Sequence, residues 1–228
     1  MSVFLTGAGT APIFQIDPVF ANNHWKTIIE ACNANMVPDT WAVGDSKPMT
    51  INGKDYLIDI IGKNHDVYSD GTGKAPLTFQ LHNNYATVYP INADGRMDGG
   101  WTSCDMRTIY LPSILALMPE NVRNGIREVN KLTSGTVDSL GVIQTTADKL
   151  FLLSEIEVHG SRQYSANGEG TQYAYYANGG SKVKGNGWDL RSPFGAYASN
   201  NFLRVNASGG SDYANPKWTV GTAFAFCF

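Results

Sequence analysis

The sequence predicts an α+β fold: one domain of short strands, two main helices and long loops. Three observations carry that expectation. Twenty-four glycines and frequent asparagines among 228 residues favour many turns and short elements over long helices. An Asn52-Gly53 pair stands between two apolar runs, the pattern of a tight hairpin. Trp25, Ile28, Ile29 and Cys32 recur at helical spacing. Hydrophobic residues make up 43% of the chain, enough to bury a core.

Taken in order, residues 1–20 are apolar, carry Pro12 and Pro18, and read as an extended N-terminal arm. A helix then starts with Asn22 or Asn23 as its N-cap and ends before Pro38. Pro48–Ile51 and Lys54–Ile61 form the hairpin, and Asn64-His65-Asp66 is a polar cluster at its exit. Leu77–Leu81 is a strand, and residues 90–100 are a polar loop. Residues 105–117 read as helical, with Pro112 early in the helix or at a joint between two shorter ones. Pro119-Glu120 opens another helical turn. Ile126–Thr133 is a strand, and Lys149–Ser154 followed by Glu155–Val158 reads as another. Residues 160–187 are a loop holding Tyr164, Tyr173, Tyr175 and Tyr176. Trp188–Pro193 is a strand on which Trp188, Leu190 and Arg191 share one face, the guanidinium held by a carboxylate or carbonyls. Residues 194–218 are a long loop, and 219–226 are a closing strand. Neither a linker nor a repeat divides the chain, so residues 21–228 form one domain.

Net charge is −3 with Lys and Arg scattered, which argues against a nucleic-acid partner. No apolar run reaches the length of a membrane span, and the N-terminus has no secretion pattern. Cys32, Cys104 and Cys227 lack metal-ligand spacing and read as reduced, buried thiols without a disulfide.

Candidate chemistry is sparse. Glu155 and Glu157, two apart on the expected strand, have the composition of a glycosidase carboxylate pair. The plainer reading is a salt-bridged strand face, one of them partnering Arg191 or Arg107. His65-Asp66 with Asp70-Gly71 matches no calcium loop and reads as turn chemistry. His24, His82 and His159 stand apart. No nucleophile elbow, phosphate loop or dinucleotide fingerprint is present. The expectation is therefore a protein that is not an enzyme, with no cofactor and no metal. Residues 194–218 instead have the composition of an adaptable binding loop, in which Tyr and Trp supply rigid contact area and Ser and Asn supply hydrogen bonds. The candidate ligand-binding residues are Tyr197, Asn200, Asn201, Asn206, Ser211, Asp212, Tyr213, Asn215 and Trp218, with Phe202 among the aromatics and Tyr173, Tyr175 and Tyr176 alongside.

Seven motifs in order carry a resemblance: Trp41-x-x-Gly-Asp-Ser-Lys47, the Asn-Gly hairpin, Ile60-Ile-Gly-Lys-Asn-His-Asp66, Trp101-x-x-Cys-x-x-Arg107, Leu150–Glu155, Trp188-Asp-Leu-Arg-Ser-Pro193 and Val220-Gly-x-Ala-Phe224. Over residues 22–228 the chain resembles an uncharacterised domain family that recurs in phage tail and minor structural proteins and in related proteins of gut bacteria. The resemblance implies a C-type-lectin-like fold. It also implies a place in the virion, at the tail tip or fibre, with a host cell-surface ligand or neighbouring virion proteins as partners. A homo-oligomer is expected from the closed symmetry of such particles. Where related phage proteins end in Val-Arg-Pro-Ala, this chain has Gly221-Thr-Ala-Phe. Three functions stay open on the sequence: receptor binding, particle assembly or decoration, and, third, a carbohydrate-active enzyme using Glu155 and Glu157.

Overall fold

A computed structural model describes residues 15–136, 139–195 and 200–228. Among them are ten strands in three antiparallel sheets and six α-helices, an α+β arrangement as expected. The largest sheet has the order β1 (Ser46–Ile51), β2 (Lys54–Lys63), β3 (Leu77–Leu81), β10 (Ala225–Cys227), β6 (Leu150–Phe151). A two-stranded ladder joins β4 (Val129–Ser134) to β5 (Ile143–Asp148), and a third sheet runs β7 (Trp188–Pro193), β8 (Phe202–Val205), β9 (Ser211–Ala214).

The β1–β2 hairpin forms where the Asn-Gly pair placed it. Asn52 and Gly53 both have positive φ, 49° and 75°, the requirement of a two-residue turn whose twist matches the flanking strands. Further along β2 the register shifts between Ile60 and Gly62. A Cβ on Gly62 would lie 3.0 Å from the ring of Tyr173, so the glycine lets that ring close on the strand.

Helix α1 (Trp25–Asn33) buries Ile28, Ile29, Ala31 and Cys32. Its N-cap is His24, without a side-chain cap, and not Asn22 or Asn23. Asn23 is buried and donates from Nδ2 to the carbonyls of Asp17, Val19 and Phe20. It holds the preceding turn closed instead of starting the helix. Of the expected arm, residues 1–14 lie outside the described residues. Along 15–20, Ile16 and Phe20 are buried, with the Phe20 ring edge-on to Trp41 at 5.5 Å.

After the short helix α2 (Gly100–Ser103), the expected helix over 105–117 resolves into a π-helical turn, Met106–Tyr110, and α3 (Leu111–Leu117). Pro112 lies in the first turn of α3, directly after the π-helical turn, at the joint between the two segments. Helix α4 (Glu120–Gly125) follows, with Pro119 at its N-cap.

Three expected elements change. The strand expected over 149–158 is a strand only at β6, and Glu155–His159 is helix α5. Ser154 accepts from the Glu157 backbone N–H while Glu157 accepts from the Ser154 N–H, a capping box that outweighs the apolar alternation. The long loop expected over 194–218 contains the β8–β9 hairpin. The closing strand is confined to β10, with residues 219–224 outside strand structure. The polar strand β5 was not expected.

Trp41, Trp101 and Trp188 are fully buried in one contiguous core, and all three cysteines are buried and free. Trp188 stacks near Tyr176 at 6.4 Å and donates its indole N–H to the Lys182 carbonyl at 2.9 Å. Trp188→Ala is expected to cost about 3–5 kcal/mol of stability. A melting temperature unchanged from the parent would show that Trp188 is not scaffold.

Candidate functional site

The C-terminal sheet stands on buried charge. Arg191 on β7 is fully buried. It grips Glu157 through both oxygens, at 2.5 and 2.9 Å. It also donates to the carbonyls of Leu152 and Leu132 and to Thr133 Oγ1, which ties β7 to β4 and to the approach to α5. The expectation that Trp188, Leu190 and Arg191 share a face is corrected: side chains alternate along a strand, so adjacent residues 190 and 191 point to opposite faces. Arg191 reaches Glu157, whereas Trp188 reaches Tyr176 and Lys182.

Glu157 also lies 2.7 Å from Lys131 Nζ, and Lys131 lies 2.7 Å from Asp66 Oδ1. Tyr173 donates its hydroxyl to Asp66, and Thr78 donates to Asp66 Oδ2 at 2.6 Å. Burial alone would raise the Asp66 carboxyl, but the Lys131 charge wins and holds it at about 2. Glu169 behaves oppositely. Burial pushes its carboxyl up to about 7, against hydrogen bonds from Ser192 and the Ser134 N–H and the charge of Arg191. Arg191 is already satisfied by Glu157.

Glu155 and Glu157 therefore do not share a strand face. Two apart on a helix, they turn away from each other. Glu157 serves Arg191 and Lys131. Glu155 Oε2 accepts from the backbone N–H groups of Gln163, Tyr164 and Ser165 at 2.9, 3.0 and 2.8 Å. Burial would raise the Glu155 carboxyl, but these donors and the Ser211 hydroxyl hold it below its ordinary value. Trp101 and Arg107 form the parallel case, both donating to Asp148, at 2.9 and 2.6 Å. Asp66 is committed to the core, and Asp70 accepts from Thr72 and Arg127. Among the described residues no three His, Cys, Asp or Glu side chains cluster as a metal site.

By pinning residues 163–165, Glu155 places Tyr164 beside the sheet. Tyr164 meets Tyr213 of β9 edge-on at 5.7 Å and lies 5.6 Å from Phe194, while Phe194 and Tyr213 are 4.6 Å apart. Tyr213 remains 43% exposed. Gln163 donates to the Tyr164 hydroxyl at 2.8 Å. Opposite Phe194 lies Asn201, whose carbonyl accepts the Phe194 N–H, and the neighbouring Asn200 is exposed. This aromatic cluster, with Tyr213 exposed and Phe194 buried behind it, is the candidate surface.

The other expected site residues divide. Ser211 and Tyr213 share a face of β9, and Ser211 turns to Glu155. Asp212 is paired with Arg204 at 2.6 Å. Asn206 Oδ1 accepts from Ser208 N, Ser208 Oγ and Gly210 N and so shapes the β8–β9 turn. Asn215 accepts from the Lys217 N–H in a separate turn that receives the Asn92 N–H at Pro216. Trp218 follows that turn and is 54% exposed. Tyr197 lies outside the described residues. Phe202, Tyr173 and Tyr176 are buried and are core, not contact surface, because their rings fill space against the sheets. Tyr164 and Gln163 were missed as site residues, and Phe194 as the buried ring that backs Tyr213. The tyrosine-rich composition of 160–187 was the signal for the first of them.

Residues 78–221, more than half of the chain, match the family described as a domain of unknown function, DUF6273. The chain belongs to that family. No curated protein and no solved structure matches it. The DUF6273 stretch runs from β3 to just before β10 and contains Glu155, Arg191, the aromatic face and residues 200–218. The β1–β2 hairpin and α1 lie before it. No helix among the described residues is long and apolar enough to cross a membrane.

Proposed function

We propose that this chain is a phage virion structural protein with a C-type-lectin-like fold, which binds a host surface ligand through the Tyr164–Phe194–Tyr213 face of its C-terminal sheet. The seven ordered motifs support the virion reading. The observation that carries the binding reading is Tyr213. It is a large aromatic left 43% exposed while braced by two further rings, on a sheet anchored through Arg191. A rigid aromatic of this kind contributes contact area at low entropic cost.

Tyr213→Ala is expected to weaken attachment of the purified protein to host-cell envelopes about thirtyfold, since an anchoring aromatic is worth about 2 kcal/mol. Trp218→Ala, at a tryptophan 54% exposed, is expected to weaken attachment to a comparable extent. Asn200→Ala should do less, and the melting temperature should barely move for any of the three. Unfolding of Tyr213→Ala would make the face structural. Parental binding by all three folded variants would move the contact surface elsewhere and favour an assembly or decoration role.

A further inference from the structure

The buried pair Lys131 and Asp66 has the arrangement of reactants. Lys131 Nζ is 2.7 Å from Asp66 Oδ1 and 2.7 Å from Glu157 Oε1, and the lysine side chain is 2% exposed. Thr78 Oγ1 donates to Oδ2 at 2.6 Å, and the Tyr173 hydroxyl lies 2.9 Å from both oxygens and accepts from Lys131 Nζ at 3.1 Å. The ring of Phe151, 4.3 Å from Nζ, helps to close the site. An amine, a carboxyl, a base on the amine and two hydroxyl donors on the carboxyl thus meet away from water.

We propose that Lys131 and Asp66 condense to an amide cross-link, with Glu157 as the proton carrier. Glu157 Oε1 takes a proton from the Lys131 ammonium and passes it to Asp66 Oδ1, and the freed lone pair bonds to Cγ of the carboxylic acid so formed. The electron pair displaced onto Oδ2 is stabilised by Thr78 and Tyr173. A second proton leaves Nζ, and Glu157 delivers it to Oδ1 as well. The Cγ–Oδ1 bond then breaks, Oδ1 departs as water, and Nζ keeps one hydrogen as the amide N–H. One ammonium and one carboxylate become one amide and one water, with no oxidant or reductant. In water the solvation of the two ions opposes this condensation. In the buried site Lys131 and Asp66 hold each other ionised, and exchanging two buried charges for one neutral amide removes the desolvation cost they carry. Fixed proximity adds an effective concentration on the order of 10⁵ M or more. The product leaves Glu157 and Arg191 as a closed bidentate pair in place of a cluster of four charges.

The test is the intact mass of the purified full chain under denaturing conditions, followed by peptide mapping. The expected result is a mass one water below that of the sequence, with a branched peptide joining the Lys131 and Asp66 segments. Lys131→Arg should return to its full sequence mass. A parent at full sequence mass, with Lys131 and Asp66 recovered in separate linear peptides, overturns the proposal. So does a water loss that maps to a succinimide at Asp70-Gly71, Asp94-Gly95 or Asp98-Gly99, a ring that mild alkali opens and an amide survives.

Discussion

Arg191→Ala is expected to lower the unfolding free energy by about 3–5 kcal/mol, the scale for breaking a buried pair by removing one partner. The guanidinium is the shared donor for Glu157, the Leu132 and Leu152 carbonyls and the Thr133 hydroxyl. Its removal strands a buried carboxylate and leaves those acceptors without their donor. Against a total stability of about 5–15 kcal/mol for an ordinary domain, that loss removes a large share. Arg191→Lys should recover little, because an ammonium cannot reproduce the planar fork. Pairing Arg191→Met with Glu157→Leu should recover more than Arg191→Lys does, since the stranded charge is then gone. Urea unfolding of the four proteins decides the matter. A change under about 1 kcal/mol in Arg191→Ala would mean that water reaches Glu157 and that the network is not closed.

Glu169→Gln is expected to flatten part of the pH profile of stability. The Glu169 carboxyl is raised to about 7 in the fold from an ordinary 4.5. The folded chain thus binds the proton more tightly than the unfolded chain. Its contribution is fully present below about pH 4.5, declines as pH rises towards 7, and is flat above that. The size of that decline is about 3 kcal/mol. The groups facing it are the Ser192 hydroxyl, the Ser134 N–H, Arg191 and Glu157. A glutamine keeps the oxygen that accepts the Ser134 N–H and turns an amide N–H towards Ser192. The difference between variant and parent, measured by urea unfolding, should therefore be near zero at pH 4.5 and favour the variant at pH 8. Parallel profiles for the two proteins would place an ordinary carboxyl at position 169.

What could be read from residue order alone was what neighbours decide. Asn52-Gly53 needs only its own φ angles, and α1 needs only its apolar spacing. Helix α5 was also local. Its capping box, Ser154 with Glu157, was visible, but the apolar run before it favoured a strand. Strands β5 and β9 carry few apolar side chains because each has a solvent-facing side, so on the sequence β5 has no expected element and β9 reads as part of a loop. The Arg191–Glu157 pair was one of the alternatives open on the sequence. The Lys131–Asp66 pair was not, because 65 residues separate its members and only the fold brings them together. The tyrosines show the same limit: Tyr173 packs on Gly62 of β2, and nothing beside it in the sequence reports that.

The position of β10 between β3 and β6 governs how the chain reaches this structure. Cys227 pairs with Thr78 across 149 residues of sequence. The β1–β2–β3 meander is built from local contacts and can assemble early, but its β3 edge then waits for a partner far along the chain. Loop closure on that scale slows folding, and an unpaired edge of Leu77–Leu81 is adhesive meanwhile. Refolding from denaturant should therefore be slow and sensitive to protein concentration, with the yield set by how soon β10 arrives.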